Sequence, residues 1–459
     1  MSKKNIDFQR ILKNKNNQKG ITLIALVITI VILIILATIS INFIFNGGLI
    51  DRAEQARDYY QNDEAYTDES VSNLTGYIDG LINGIEGGSG GGGTGGGSAV
   101  DQTPTPIEEV TKGQNFSTTT KVADETDDIF YVPGGFAISE ESPNEIDDGI
   151  VITDGTNEFV WISVPEINTM YTVSDEPITL GASAGVTATT NVYSNLTVRD
   201  GDSYDPAVPG ADSGIREPDI LTSTSYGDAS TTENIGINLI QEVLGITGST
   251  NEEILNNFAQ SLVDEYNATY TSINTYGGFY IGRYELTGDM NNPTVQAHQP
   301  VLDASVAGSW YGLKKACSNV VSSDYAQTTM VYGNQWDQVM SFITDPDAEE
   351  GKTEVQVNED SSEWGNYNNS TGAAQENLGS LQSSRTNEAW QAKNIYDLAG
   401  NYFEWTQEAS SNYSRLLRGG SYDSSGSAIP ASDREAGYGG IPYNSDSRLS
   451  SRPALYIVK

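Results

Sequence analysis

The stretch RLLRGGSY, from Arg415 to Tyr422, gives the strongest indication of the fold of this chain. Its apolar run ends in two adjacent glycines, a pattern that predicts a strand followed by a tight turn. The segment behind the turn, SYDSSGSAIPASDREAGYGGIPYNSDSR from Ser421 to Arg448, has no cysteine or histidine and is rich in Tyr, Ser, Gly and Asp. Antibody paratopes have this composition, because tyrosine gives rigid contacts and small polar residues give adaptable hydrogen bonds. We therefore predict a surface loop that binds a partner, with a merely solvated loop as the alternative.

Other blocks along the chain extend this pattern on both sides of the turn. Taken in order with RLLRGGSY, they resemble the signatures of the formylglycine-generating enzyme (sulfatase-modifying factor) family. The resemblance covers roughly residues 124–459 and implies an irregular α+β fold with a C-type-lectin-like core. The blocks are YGGFYIGRYELTGD from Tyr276, SWYGLKKAC from Ser309, MVYGNQWDQVMSF from Met330, NIYDLAGNYFEWTQE from Asn394 and SSRPALYI from Ser450.

The residues of this region do not fit the family's chemistry. Its oxidases bind copper through two cysteines shortly after the RGGS turn, since soft thiolates select Cu(I). Residues 422–429 contain no cysteine, and the only one in the chain is Cys317. His298 is the only histidine, so a Ser-His-acid triad would centre there, and zinc sites that need several His or Cys ligands are excluded. We therefore expect no enzyme, with an enzyme of the family that uses other chemistry as the alternative.

The resemblance also implies where a ligand binds. In C-type-lectin-like folds the final stretch commonly forms the ligand face, and proteins diversified by retroelements place their variable residues after the same RGG turn. We expect an extracellular protein or a glycan as the ligand. The expected ligand-binding residues are Tyr422, Asp423, Ser424, Tyr438, Tyr443, Asn444 and Asp446.

A calcium site is the one cofactor that the resemblance suggests. Enzymes of the family bind calcium structurally, and Asn401 and Glu404 in AGNYFEWTQE supply oxygen donors that suit this ion. The alternative is that Asn401 turns the chain and Glu404 pairs with an arginine such as Arg418.

The N-terminal stretch KGITLIALVITIVILIILA, Lys19 to Ala37, predicts a membrane segment. No residue from Ile21 to Ile50 is charged, so the run is long enough to cross about 30 Å of hydrocarbon as a helix. Six basic residues and one acid precede Gly20, which predicts a cytoplasmic leader and an extracellular head. A cleaved secretory signal is the alternative, although the apolar run is long for one and lacks an A-x-A-like site.

The same stretch resembles the N-terminus of type IV prepilins and type II secretion pseudopilins. By that resemblance a prepilin peptidase cleaves after Gly20 and leaves Ile21 as the new, N-methylated terminus. The family's glutamate at the fifth mature position is Ala25 here. Since that carboxylate is thought to pair with the terminal amine of a neighbouring subunit, we expect a minor or tip subunit among other pilin-like subunits, or a membrane anchor, rather than a shaft subunit.

The predicted organisation follows the composition along the chain. The fold class is α+β, with a long N-terminal transmembrane and stalk helix, a Gly-rich linker and an irregular lectin-like head. The head begins with strand-like runs near Ile129 and contains an amphipathic helix from Glu252 to Ile273. The predicted segments are the leader (1–20), the membrane helix (21–45), the stalk helix (46–85), the flexible Gly/Ser/Thr/Pro linker (86–123) and the head (124–459) with a Ser/Thr/Gly/Asp-rich insertion (166–234).

The net charge of the chain argues against one class of partner. The formal net charge of −38 repels nucleic acid, so no nucleic-acid partner is expected. We expect a surface protein, anchored in the cell membrane by a single pass or associated with a pilus or pseudopilus tip, that presents a non-catalytic binding head. A structural pseudopilin of a type II secretion-like system is a further alternative.

We predict that the mature chain begins at Ile21. Mass spectrometry of the full-length chain, expressed in cells that process other prepilins, should identify Ile21 as the N-terminal residue. Recovery of an intact Met1 from such cells would contradict the leader assignment.

Overall fold

The computed structural model describes residues 99–180, 186–195, 217–218, 233–346, 348, 350–375, 379–411, 414–435 and 441–459. The chain divides into two compact units, Met1–Gly95 and Gly96–Lys459. This boundary falls inside the glycine-rich stretch from Glu86 to Ser98. All described residues belong to the second unit.

The described residues form an α+β unit of short strands and helices. The helices are Glu233–Glu242 (α1), Asn251–Tyr276 (α2), Ala304–Ala307 (α3), Trp310–Ser318 (α4), Gly333–Ile343 (α5) and Glu354–Asn358 (α6). The strands are Thr105–Pro106 (β1), Thr120–Ala123 (β2), Ile129–Val132 (β3), Ala137–Ile138 (β4), Val151–Thr153 (β5), Glu158–Ser163 (β6), Tyr171–Thr179 (β7), Thr189–Ser194 (β8), Gly278–Gly282 (β9), Thr287–Asp289 (β10), Asn292–Thr294 (β11), Ala326–Met330 (β12), Gln391–Ala392 (β13), Ile395–Tyr396 (β14), Phe403–Ser411 (β15), Ser414–Arg418 (β16), Leu449–Ser451 (β17) and Pro453–Ile457 (β18).

A six-stranded antiparallel sheet forms the centre of the unit, in the order β12-β18-β9-β6-β5-β4. Its middle strands β6 and β9 are almost wholly buried, as their continuous apolar runs predict. Trp161 of β6 lies opposite Tyr280 of β9, and their rings meet edge to face with centroids 5.0 Å apart. The strand-like runs predicted near Ile129 are confirmed as β3 and β4, and β5 and β6 follow them in the sequence.

Helix α2 packs along β9 and β18 of this sheet. Thr250 caps its start by accepting from the amide of Glu253, and Gly277 ends it in the left-handed conformation at φ 73°, where the missing Cβ avoids strain. The amphipathic helix predicted over 252–273 is therefore confirmed with slightly wider bounds. As expected of an amphipathic helix, its apolar residues are buried, among them Ile254, Leu255, Phe258, Leu262 and Tyr266.

A second sheet positions the RGG turn. Strand β15 lies in its middle, antiparallel to β16 and parallel to β17. The register places Glu404 opposite Arg418 and Trp405 opposite Leu417, with a shift between Trp405 and Ala409. The turn after Arg418 thus leaves the edge of a buried sheet.

Part of the predicted insertion, residues 166–234, is seen as an antiparallel pair. Strands β7 and β8 pair with each other, and the buried ring of Tyr171 contacts Tyr266 and Tyr270 of α2. The segment is therefore attached to the core at this point. The remaining described residues of the range are 166–170, 180, 186–188, 195, 217–218 and 233–234.

The fold class predicted from the sequence is corrected in one respect. It included a long N-terminal transmembrane and stalk helix, but none of the helices in the described part of the chain combines the length and apolar character needed to cross a bilayer. The longest, α2, has 26 residues and a polar face. The segments expected to form the membrane helix (21–45) and the stalk helix (46–85) lie outside the described residues.

The predicted linker, residues 86–123, is also too long. Strand β1 pairs in parallel with β2, and β2 pairs with β3, inside the folded unit. Ile107 and Val122 are buried, and the hydroxyl of Thr119 donates to the carbonyl of Lys459. The glycine-rich composition ends at Ser98, and the apolar residues beyond it are enough to fold the rest onto the core.

We predict that Gly278→Ala destabilises the unit, because an added Cβ would lie 2.4 Å from the ring of Trp161 and 2.5 Å from the carbonyl of Ile162. Overpacking of this kind lowers the free energy of unfolding by about 1–3 kcal/mol. The control is Gly236→Ala in helix α1, whose nearest contact would be an ordinary 3.6 Å and which should be neutral or stabilising. Urea denaturation measures both, and equal effects would contradict the packing argument.

Candidate functional site: the loop behind the RGG turn

The two glycines of the RGG turn are required by their surroundings. Gly419 and Gly420 have φ of 82° and 76°, where a side chain would be strained. A Cβ on Gly420 would lie 2.8 Å from the carbonyl of Ile429. The hydroxyl of Tyr367 donates to the carbonyl of Gly419 at 2.6 Å. The turn is thus clamped between the core and the loop that follows.

A buried charge network, which we call the Arg418 network, lies beneath this loop. Arg418 donates to both carboxylate oxygens of Glu408 (3.2 and 3.1 Å), to Asp337 (2.6 Å) and to the carbonyl of Ser432 (2.8 Å). Arg434 of the loop donates to Glu408 at 3.1 Å and also pairs with Asp337. Burial raises the pKa of Glu408, but Arg418 and Arg434 outweigh it and hold that pKa below its ordinary value. The network therefore joins β15, β16, α5 and the loop.

A close approach at the start of α5 shows how tightly this network is packed. A Cβ on Gly333 would lie 1.8 Å from a carboxylate oxygen of Glu408. The indole of Trp336, one turn further along α5, donates to the carbonyl of Ala431 in the loop at 3.0 Å. The residues beneath the loop are consequently held in place by the packing of Gly333 against Glu408 and by the hydrogen bond from Trp336.

A surface ion pair closes the two ends of the loop on each other. Arg448 donates to Asp423 at 2.9 Å and to both oxygens of Asp446, the shortest bond being 2.6 Å. The hydrogen bonds from Arg448 are the main cause that holds the pKa of Asp446 below its ordinary value. Ser421 also donates to Asp423 at 2.6 Å. Residues from the beginning and the end of the segment therefore share one surface.

Of the predicted ligand-binding residues, Asp423 and Asp446 meet through Arg448, and the others that the structure describes lie close to these two in the sequence. Asp423 is exposed, and Tyr422, Ser424, Tyr443, Asn444 and Asp446 are half-buried. Tyr438 falls in 436–440, outside the described residues. We call the described group, together with Arg448, the loop face.

Sequence reasoning missed a neighbour of this face. Exposed Asn368 donates its side chain to the carbonyl of Asp423 (2.7 Å) and its backbone amide to the carbonyl of Ser424 (3.0 Å). Asn369 accepts from the amide of Gly426 at 2.8 Å. These asparagines lie more than fifty positions upstream, and no local pattern connects the two segments. Tertiary contact alone assigns them to the face.

The geometry at the predicted calcium residues agrees with the alternative interpretation. Asn401 turns the chain at φ 60°, and its side-chain carbonyl accepts from Asn366 and from the amide of Gln382. Both oxygens of Glu404 accept from Arg452, at 2.7 to 3.2 Å, so Arg452 occupies the place expected for Arg418. Within the described ranges, no group of three or more His, Cys, Asp or Glu side chains is arranged to hold a metal ion.

Three buried carboxyl groups gather around the same arginine. Glu285, Asp397 and Glu404 are all fully buried, and Arg452 provides one positive charge. Burial, reinforced by the neighbouring acids, raises the pKa of Glu285 well above its ordinary value. Burial also raises the pKa of Asp397 to about 7 and raises that of Glu404 despite Arg452. Burial therefore shifts the loss of protons from this cluster to a higher pH than in exposed acids.

Comparisons with known proteins leave the family open. No family model matches the chain, and no curated protein does. Among solved structures, variable protein 1 of Treponema denticola is similar, with 15% identity over 67% of this chain and 98% of that chain, at a TM-score of 0.24. A similarity at this level carries no argument about function.

We predict that Asp397 makes a contribution to the free energy of unfolding that falls as the pH rises from about 4 to about 7, whereas Glu408 and Asp446, whose pKa values are lowered, contribute in the opposite direction. Asp397 has the higher pKa in the folded state, so it binds its proton more tightly there than in the unfolded chain. Its stabilising contribution is complete below the unfolded pKa and is lost as the pH approaches 7, by on the order of 1.4 kcal/mol per pH unit.

Denaturant titrations across the pH range should show that the free energy of unfolding of Asp397→Asn falls less steeply, or rises more steeply, with pH than that of the wild type. The control Asp127→Asn changes an exposed residue in the left-handed conformation, which asparagine tolerates, and should keep the wild-type slope. An unchanged slope in Asp397→Asn would show that this carboxyl group does not hold the proton.

Proposed function

We propose that this protein is a non-catalytic binding protein that recognises an extracellular protein or a glycan through the loop face. The observation that carries the proposal is the bridge from Arg448 to both Asp423 and Asp446. It joins aspartates from the two ends of the segment, and the half-buried side chains of Tyr422, Tyr443 and Asn444 lie close to these aspartates in the sequence. A surface of rigid aromatic and adaptable polar groups suits recognition of a partner.

The foundation of the face supports the same proposal. Arg418 and Glu408 are completely buried, and the ion pairs and hydrogen bonds of the Arg418 network hold the loop from below. A binding surface that is already ordered loses less conformational entropy when it meets its ligand. The Arg418 network therefore holds an irregular loop in one conformation, and this favours binding by the loop.

The chain lacks the thiols of a copper-dependent oxidase at this place. Residues 421–448 contain no cysteine, so the donors present do not fit copper. Cys317 is fully buried in helix α4, and burial raises the pKa of its thiol to about 12. A protonated, buried thiol is neither a nucleophile nor a metal ligand.

We predict that Tyr422→Ala and Tyr443→Ala abolish binding while changing the melting temperature little. Central aromatic anchors contribute about 2 kcal/mol or more to binding, whereas side chains at the surface usually change stability by about 0.5 kcal/mol. Glycan arrays and cell-surface pull-downs with the full-length chain supply the ligand and the binding measurement. Tyr325→Ala, half-buried outside the face, is the matched control and should bind normally. If the two variants unfold, or bind as tightly as the control, the face is wrongly assigned.

We also predict that the protein does not oxidise a substrate cysteine to formylglycine, with or without added copper. The physical reason is the absence of cysteine from 421–448. Mass spectrometry of a cysteine-containing sulfatase peptide after incubation with the full-length chain tests this directly. Turnover of the peptide would overturn the proposal of a non-catalytic head.

A further inference from the structure

A polar pocket lies where strands β5 and β6 meet the chain segments around His298 and Arg385. Its cavity volume is about 490 Å³, within the range of about 300–1,000 Å³ found for small-ligand sites. It shares no lining residue with the loop face. The lining includes Glu141, Thr156, Glu158, Tyr284, His298 and Arg385.

Two strained residues shape the wall of this pocket. His298 and Arg385 have φ of 57° and 51°, a conformation that is uncommon for residues other than glycine and that gathers at ligand sites. The amide of His298 donates to the carbonyl of Ser384 at 2.8 Å, and the amide of Ser384 donates to the carbonyl of Gln299 at 3.1 Å. The two segments are thus tied together, and the strain is maintained by their mutual contacts.

The charged groups of the pocket already have opposite partners. Arg283, behind the wall, pairs with Glu158 at 3.0 Å, and Arg385 pairs with Glu388 at 2.9 Å. The remaining carboxylate, Glu141, lies 3.5 Å from Arg283 and 3.4 Å from Arg385. Both guanidiniums already contact carboxylates, which leaves neither for an anion, and each of the three carboxylates lies within 3.5 Å of an arginine, which makes it less available to a cation even though two arginines do not balance three carboxylates. The pocket therefore favours a ligand without net charge.

The lining also disfavours an apolar ligand. Ala297 is its largest aliphatic side chain, whereas Gln296, Gln299 and Thr156 contribute amide and hydroxyl groups. The hydroxyl of Tyr284 donates to Glu158 at 2.9 Å and so is held in place. Amides, hydroxyls, an imidazole and carboxylates provide donors and acceptors that match hydroxyl groups, which are both.

We propose that this pocket is a second binding site, separate from the loop face, that takes a neutral polyhydroxylated molecule such as a single sugar residue. It gives a role to His298, the only histidine of the chain, as a hydrogen-bonding group in the wall. Tyr396, behind the wall, supports two lining residues: its ring lies 5.5 Å from that of Tyr284 and 5.0 Å from the guanidinium of Arg385.

Saturation-transfer NMR on the full-length chain tests the site, with glucose, galactose, mannose and N-acetylglucosamine as probes. At least one of these sugars should receive saturation from the wild-type protein. Thr156→Trp places a bulky ring in the pocket from an exposed position and should abolish the transfer. The matched control Thr271→Trp, exposed on helix α2, should retain it.

A second variant tests the same site without added bulk. His298→Asn combined with Gln299→Ala removes two exposed polar groups, and asparagine accepts the left-handed backbone at 298. Binding should weaken about tenfold. Melting temperatures of all variants show whether the fold is intact.

Three results would overturn the proposal. The first is no transfer to any of the four sugars from the wild-type protein, and the second is unchanged transfer in both folded pocket variants. The third is loss of transfer in Tyr422→Ala with retention in Thr156→Trp, because the sugar would then bind at the loop face. This last result leaves the proposed function standing while the pocket fails.

Discussion

The buried pairing of Arg418 with Glu408 is the interaction on which the candidate binding surface depends. Both side chains are fully removed from solvent, and removing one partner of such a pair leaves an uncompensated buried charge that costs about 3–5 kcal/mol. Arg434 and Asp337 complete the balance of charge. Because these residues come from two strands, a helix and the loop, their electrostatic requirement fixes the position of the loop relative to the core.

The rigid core of the unit and the surface that we propose to bind a partner are separate parts of it. Beneath the RGG turn, buried ion pairs and close contacts at glycines leave the side chains little room to move. At Gly333, for example, an added Cβ would collide with the carboxylate of Glu408. Above the turn, the chain runs from Ser421 to Arg448 without a helix or strand in its described residues, and the ends of this stretch meet through Arg448. An ordered core thus presents an irregular polar surface, and a second set of arginine–glutamate pairs shapes the pocket around His298.

Local patterns predicted much of the core. The continuous apolar runs of β6 and β9, the stripe from Ile254 to Tyr266 and the paired glycines at 419–420 each depend on neighbouring residues, so they are visible in one stretch of sequence. The sequence did not predict as well which residues pair with the buried charged side chains. Arg418 was a reasonable partner for Glu404, since the two lie opposite each other in the sheet, yet Arg452 holds Glu404 and Arg418 holds Glu408. Alternation along the strands does not decide this, because residues that lie opposite each other in an antiparallel pair point to the same face of the sheet, so only the folded structure shows which carboxylate each arginine meets.

The sequence by itself determined the elements whose cause is local: strands from apolar runs, a helix from its periodicity, and a turn from two glycines that accept positive φ. It also showed that the oxidase's cysteines are absent. Only the tertiary structure decided that Asn368 joins the loop face, that Glu404 is held by Arg452, and that the segments at His298 and Arg385 form one pocket. These arrangements join residues far apart along the chain, and their energies depend on burial and distance, which no single stretch of sequence contains.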